Sequence, residues 1–432
     1  MNPKRSVLMI SLFLTGLFLA IPIFGQDSGT DKVKLEVWAP VPTSLQWPKV
    51  YAAFQKKYPN IEIEYWRGET SDYDLKLQVA MAGGEGPDVL WLNGDMISRY
   101  APFLDSLSEP ASKSWGSAWQ KDLSSAKYLD DISTNGKIVS MPFLVAGQAF
   151  VLYNKSIFDQ YGLKPPKNLV EWKKVSDVLK SKGIIPVAIG LKDGWINTDM
   201  FLAVANQYAP GKVYDAIEGK VSFTDKSFVD ALAAWKKLFD GGLFEKGSLG
   251  VAQYPNARDQ YFYDRKAAMF ITGSWHLGYA LPVGEKNQGT KIQKDQTGAF
   301  LFPQVGPNPA QVFASIDGGF GINSTSKKKD AAWKFLEFIS RGDGEQVMLD
   351  YLQGFSPWKG LSAKSLDDLQ PSDRDAILMA QKLFENPVGP RSVKYPEIAN
   401  AIGVAMQEVA VGRKTPEAAA ADIQQISITT KR

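Results

Sequence analysis

An α/β fold divided into two domains is the class this sequence predicts, and three observations predict it. The chain has 432 residues, more than a single hydrophobic core usually serves. Alternating and helix-spaced apolar runs follow one another in β-α-β-α-β order near the start, the pattern of a parallel sheet with crossover helices. No internal repeat, low-complexity block or long Pro- or Ser-rich linker interrupts the chain, so short crossings are expected to join the domains.

The elements follow in order. Val33–Trp38 alternates as a strand, and the apolar positions Val50, Ala53, Phe54 and Tyr58 mark a helix over 45–58 that Pro59-Asn60 stops. Ile61–Trp66 alternates strictly, and residues 73–81 form a helix ended by Gly83-Gly84. Pro87-Asp88 leads into the short buried strand Val89–Leu92. A second α/β unit begins with the strand 149–153 and continues with helices over 156–161 and 171–182 and a strand over 185–189. Helices are expected over 198–208 and 228–239, then a strand ending at Thr272 and a turn at Gly273-Ser274-Trp275. The last third carries a strand over 318–322 and helices over 330–339, 376–384 and 398–409. Ser324–Ser326 should cap the helix that follows them, and Thr415-Pro416 opens a final helix with threonine as cap and proline at its first position.

Composition narrows the chemistry. Hydrophobic residues are 44% and charged residues 22%, an ordinary globular balance that excludes wholesale disorder, collagen and coiled-coil architectures. There are 49 Lys and Arg against 46 Asp and Glu, a net of +3, so no clustered basic surface argues for nucleic acid. No cysteine is present, which removes disulfides, thiolate catalysis, iron–sulfur clusters and cysteine-based zinc sites. The single histidine leaves almost no material for a Ser-His or multi-histidine metal site, and no metal or other cofactor is expected. Aromatic residues are abundant: 12 Trp, 16 Tyr and 23 Phe.

Residues 1–25 read as a secretory signal. Lys4 and Arg5 precede an apolar run from Val7 to Phe24, and polar, small residues follow at Gly25-Gln26-Asp27-Ser28-Gly29. Cleavage is expected after Gly25. The alternative is a retained anchor, since eighteen helical residues reach about 27 Å; Pro22 near the end and the polar residues after it favour cleavage. The mature chain is expected in the periplasm or otherwise outside the cytoplasm. Without cysteine it is not a cysteine-linked lipoprotein.

No nucleotide-binding glycine loop and no G-x-S-x-G elbow occurs. Paired carboxylates of a glycosidase stay possible, because separation in space is invisible in sequence. His276 is a candidate for a ligand hydrogen bond or for a structural role. The aromatic supply instead suits carbohydrate: ring faces cover the apolar C–H faces of a sugar, and fixed polar groups pair with its hydroxyls. In parallel sheets ligands sit beyond the carboxyl ends of strands. Trp38, Trp66 and Trp91 stand at three such ends. They either form an aromatic track or lie beneath the loops as core. Arg67, Glu69 and Asp72 follow the second strand, and Trp91-Leu92-Asn93-Gly94-Asp95 runs out of the third. Gly194-Trp195-Ile196-Asn197, Gly273-Ser274-Trp275 and the loop from Gln353 to Trp358 offer further mixtures of aromatic and polar groups.

Six segments together resemble the extracellular solute-binding proteins of sugar ABC importers, the group that includes maltose-binding protein. They are Phe54-Gln55-Lys56-Lys57-Tyr58-Pro59-Asn60-Ile61, the stretch from Ala82 to Val89 (AGGEGPDV), the stretch from Asn135 to Pro142 (NGKIVSMP), Leu152-Tyr153-Asn154-Lys155, Gly162-Leu163-Lys164-Pro165-Pro166 followed by Trp172, and the stretch from Lys266 to Trp275 (KAAMFITGSW). The resemblance covers essentially the whole mature chain. It implies a two-lobe periplasmic-binding-protein fold with a hinged interdomain cleft. Lobe one would comprise 31–145 and 314–352, and lobe two 146–313 and 353–432. It also implies sugar contacts from Trp91 and Asp95 in lobe one and from Tyr153 and Trp275 in lobe two, with Trp358 near a further aromatic position. The region from Leu281 to Thr297 departs from maltose-binding protein and reads as an exposed polar loop.

The candidate ligand-binding residues are thus Trp38, Trp66, Glu69, Trp91, Asp95, Tyr153, Trp195, Trp275 and Trp358, with no catalytic residue among them. The expectation is a monomeric receptor that gives up a neutral mono-, di- or short oligosaccharide to the membrane subunits of an ABC permease, with no nucleic acid partner. The alternatives are the same fold serving a polyamine or an anion, and a secreted glycosidase.

Overall fold

The computed structural model describes residues 32–280 and 289–432 apart from Glu69, Asp95, Glu245, Gln353, Gln370 and Glu385. The signal-like segment, the first part of the expected polar loop, and the candidates Glu69 and Asp95 lie outside the described residues.

The strands in chain order are β1 (Val33–Trp38), β2 (Ile61–Trp66), β3 (Val89–Leu92), β4 (Ser133–Thr134), β5 (Lys137–Ile138), β6 (Met141–Pro142), β7 (Val145–Gln148), β8 (Phe150–Asn154), β9 (Ile185–Ala188), β10 (Ala267–Thr272), β11 (Thr297–Leu301), β12 (Phe313–Ile316) and β13 (Gly319–Ile322). One lobe is built on a five-stranded sheet in the order β2-β1-β3-β13-β6, the other on a four-stranded sheet in the order β11-β8-β10-β9.

In the first sheet β1 runs parallel to β2 and β3, with Val33 opposite Ile61 and Val37 opposite Val89. The alternation in β1 has a direct cause: Leu35 and Val37 are buried, and Glu36 between them receives less cover. The sheet is not wholly parallel. β13 enters antiparallel to both β3 and β6, because the chain returns from the other lobe at that point. Helices Trp47–Lys57 and Lys329–Arg341 pack on this sheet, burying Val50 and Phe54 from one and Phe335, Leu336 and Ile339 from the other.

In the second sheet β8 pairs antiparallel with both β10 and β11, while β9 runs parallel to β10. Its helical layer includes Leu169–Ser181, Gly194–Tyr208, Lys226–Asp240 and Pro396–Ala410. Asn168 starts the first of these. Its side chain accepts the Glu171 N–H at 3.0 Å, and Glu171 reaches back to the Lys167 N–H at 2.9 Å, so two end donors are satisfied together. Thr415 caps the last helix, Pro416–Thr429, by accepting from the Ala418 N–H. The cap expected at Ser324–Ser326 does not form. The Ser326 hydroxyl donates to Asp88 at 2.7 Å and accepts from the Lys328 N–H, and the helix begins only at Lys329.

The antiparallel pair β7 and β12 crosses between the lobes, with Val145 opposite Ile316 and Gln148 opposite Phe313. Phe355 bridges to Val145 on one side. On the other, Val388 and Gly389 bond to Val312 and Ala314. These short crossings leave a cleft between the two sheets.

Candidate ligand cleft

The cleft encloses about 760 Å³. From the first lobe it is lined by Trp91 near the end of β3 and by Pro40, Arg67, Asn93 and Met96, which follow the carboxyl ends of β1, β2 and β3. From the second it is lined by Lys192, Asp193, Trp195, Tyr254, Arg258, Trp275 and His276, and Asp317 and Arg391 form its inner end beside the crossings.

The second-lobe wall is aromatic. Trp195 stacks on Tyr254 with ring centroids 5.9 Å apart, and Trp275 stands edge-on to Trp195 at 6.1 Å. The Trp275 indole N–H donates to the Tyr254 hydroxyl at 2.8 Å. The Arg391 guanidinium lies 4.3 Å over the Trp275 ring, a cation–π contact that also fixes the ring from the side. Opposite, Trp91 is anchored from behind. Tyr73 donates to the Trp91 carbonyl at 2.6 Å and meets its ring edge-on. Trp91 Nε1 is buried and makes no hydrogen bond. Gly318 lies against it at φ +91°, where an added Cβ would fall 2.0 Å from Nε1, so only glycine permits this ring position.

Arg391 ties three parts of the chain together. It donates from Nε to Asp199 at 3.1 Å and from Nη1 to Asp317 at 2.9 Å. Asp199 sits on the buried helix Gly194–Tyr208, and Asp317 immediately follows β12. Burial pushes the Asp199 carboxyl up to about 6 despite the opposing pull of Arg391, and Asp317 is raised for the same reason. Asp193 is also raised by burial, against the hydrogen bond it accepts from the Gln253 N–H at 2.8 Å. Asp74 faces the same space but is engaged by Arg99 at 2.7 Å and by the Tyr100 hydroxyl at 2.8 Å.

Of the nine residues singled out in the sequence, the structure brings Trp91, Trp195 and Trp275 together in the cleft. Four others are elsewhere. Trp38 and Trp66 pack against each other at 5.2 Å, with Lys76 Nζ 4.1 and 3.8 Å over their rings. Trp38 donates to Glu36, and Trp66 stacks on Tyr73, so this pair backs the first-lobe wall and does not line it. Tyr153 shares the strand face of Val151, which turns it into the second lobe's helical layer against Phe158 and Phe300. Trp358 is buried in a cluster with Trp115 and Trp119, beneath Arg341, and donates to the Ser340 carbonyl at 2.6 Å. It borders a separate cavity of about 300 Å³. Tyr254, Arg258, Asp199, Asp317 and Arg391 escaped sequence reasoning. Tyr254 and Arg258 lie on the irregular helical segment Gln253–Tyr263, Asp317 and Arg391 in loops, and Asp199 on a helix buried on all sides, where no periodicity singles out a facing residue.

Chemically, the cleft offers ring faces on both walls and fixed charged and amide groups between them. It can cover the apolar face of a small ring compound and pair with its polar edge.

The family model of the bacterial extracellular solute-binding proteins matches residues 41–344. An uncharacterized ABC transporter extracellular-binding protein of Pyrococcus horikoshii is 25% identical over 386 residues, which cover 86% of this chain and 77% of that protein. The multiple sugar-binding protein of Streptococcus mutans is 25% identical over 337 residues, covering 75% of this chain and 74% of its own length. A solved structure from work on xylan utilization by Caldanaerobius polysaccharolyticus superposes with a TM-score of 0.77 at 22% identity, covering 91% of this chain and 99% of that one; at that identity the likeness is one of fold. The family match spans both lobes and the residues that wall the cleft on either side, so the chain belongs to the bacterial extracellular solute-binding protein family.

Proposed function

We propose that this protein is an extracytoplasmic receptor that binds carbohydrate between its lobes and gives it up, chemically unchanged, to the membrane subunits of an ABC permease. The observation that carries the proposal is the aromatic wall of Trp195, Tyr254 and Trp275 facing Trp91 across a cleft of about 760 Å³. Flat apolar walls suit the C–H faces of a pyranose, and the charged groups between them suit its hydroxyls. The volume accommodates a mono-, di- or short oligosaccharide. The relatives support the same reading, among them the multiple sugar-binding protein of Streptococcus mutans and the ABC transporter extracellular-binding protein of Pyrococcus horikoshii.

A polyamine is a poorer fit, since the cleft sets Arg67, Lys192, Arg258 and Arg391 against Asp74, Asp193 and Asp317 and so offers no surplus of carboxylates. Binding would favour the closed arrangement of the lobes, because only there do both walls touch the ligand. The basic start and apolar run of residues 4–24 support export.

Native mass spectrometry of protein purified without refolding tests the ligand class. A retained or added neutral saccharide of unchanged mass is expected. A bound polyamine or inorganic anion with no saccharide adduct, or cleavage of added oligosaccharides, would overturn the proposal.

A further inference from the structure

We propose that His276, the only histidine in the chain, is a positioning residue: kept as the neutral imidazole with its proton on Nε2, it ends a one-way hydrogen-bond relay that sets the plane of Trp275 in the cleft wall. The relay is read from its donors. Trp275 Nε1 can only donate, and its partner is the Tyr254 hydroxyl at 2.8 Å. Tyr254 must pass its own proton on. Its neighbours are the Thr272 hydroxyl and His276 Nδ1, each at 3.2 Å. Thr272 in turn stands 2.8 Å from His276 Nδ1. With Nδ1 as acceptor the indole proton and both hydroxyl protons are placed: Trp275 to Tyr254, Tyr254 to Thr272 or His276, and Thr272 to His276. With a proton on Nδ1, only one of the two hydroxyl protons, that of Tyr254 or that of the fully buried Thr272, finds an acceptor within the relay. An unmet buried donor of this kind costs about 1–3 kcal/mol.

The surroundings favour the same state. His276 is buried between Tyr254, at 5.0 Å between ring centroids, and Phe270, at 5.6 Å. The charged groups that face the relay are the Arg258 guanidinium, 5.2 Å from the Tyr254 ring centre, and Arg391 over Trp275, the latter backed by Asp199 and Asp317. Burial first, and then the Arg258 charge, hold the imidazole well below its usual range.

The relay has a consequence for recognition, which rests on the carbohydrate reading. The polar edges of Trp275 and Tyr254 are both engaged within the protein. These two residues therefore offer a ligand their ring faces only, and hydrogen bonds to it must come from other lining groups such as His276 Nε2, Lys192, Asp193 and Arg391.

The relay is tested on ligand-free protein, so that it and the carbohydrate reading fail separately. Ring ¹⁵N spectra of protein labelled at histidine and tryptophan give one histidine signal set, and loss of a peak in Trp275→Phe identifies the Trp275 indole. Expected are a bare Nδ1 and a protonated Nε2, unchanged from pH 8 to pH 5.5. Expected too is a Trp275 indole N–H that exchanges with solvent about tenfold faster in Tyr254→Phe and in His276→Phe. Recovery is expected in His276→Asn, whose carbonyl restores an acceptor. A protonated Nδ1, titration near 6.5, or a Trp275 indole indifferent to Tyr254→Phe would overturn the proposal, and the Tyr254→Phe arm stands even if His276→Phe does not fold.

Discussion

Replacing Glu345 by glutamine should remove a large pH dependence of stability. Glu345 lies on the helix Asp343–Asp350 and is fully buried. One carboxyl oxygen accepts the Ser356 hydroxyl at 2.6 Å, and the other has no hydrogen bond. Burial raises the group from 4.5 to about 8, against the smaller opposing effects of Ser356 and Arg341. The folded-state value is therefore raised. Its stabilising contribution is complete below pH 4.5, where both states are protonated, and is lost as pH climbs through 8. Over most of that window the folded chain holds one proton more than the unfolded chain, a slope of about 1.4 kcal/mol per pH unit. Between pH 5 and pH 8 this amounts to roughly 3 kcal/mol. Glutamine keeps the shape and carries no titrating proton. Urea denaturation of both proteins at pH 5, 6.5 and 8 should show the wild type losing stability relative to Glu345→Gln by about that amount as pH rises. Parallel stability curves across the three pH values would refute the assignment.

Three further outcomes follow from the cleft and its supports. Trp275→Ala should weaken the binding of sugars that the wild type takes up by about 1–3 kcal/mol in calorimetry, through loss of one stacking face. Trp358→Ala should leave sugar affinity unchanged while costing about 3–5 kcal/mol of stability in denaturant titrations, since its ring fills a buried cluster away from the cleft. Arg391→Met should destabilise the protein by about 3–5 kcal/mol at pH 8, because Asp199 is left buried without its cation. That loss should shrink at pH 5, below the value near 6 where Asp199 takes up a proton, and an equal loss at both pH values would contradict the pairing.

Much of the fold is legible in the sequence because the signals are local. β1, β2 and β3 match the expected ranges residue for residue, since alternation marks β1 and β2, a continuous apolar run marks β3, and Pro, Asn and Gly bound them. Helix starts were harder to place where a side chain had a more favourable partner, as when Ser326 turned to Asp88. Trp91, Trp195 and Trp275 could be singled out because each lies at a strand end or in the loop beyond one. The rest of the cleft was hidden for physical reasons. Asp199, Asp317 and Arg391 meet across 192 positions of sequence, and no spacing rule couples a buried helix to two distant loops. Trp358 likewise looked like a free loop aromatic, and its neighbours Trp115 and Trp119 are more than two hundred residues away in sequence.

Calorimetric titration of unliganded protein decides whether the cleft between the lobes is a saccharide site. The panel is glucose, galactose, xylose, trehalose, maltose and longer oligomers, against wild type and a Trp195→Ala/Trp275→Ala double variant. Saturable one-to-one binding of at least one neutral saccharide by the wild type is expected, with loss of that binding in the double variant. Equal affinity in both proteins, or heat only from a polyamine, an anion or a charged sugar such as a uronate, would contradict it.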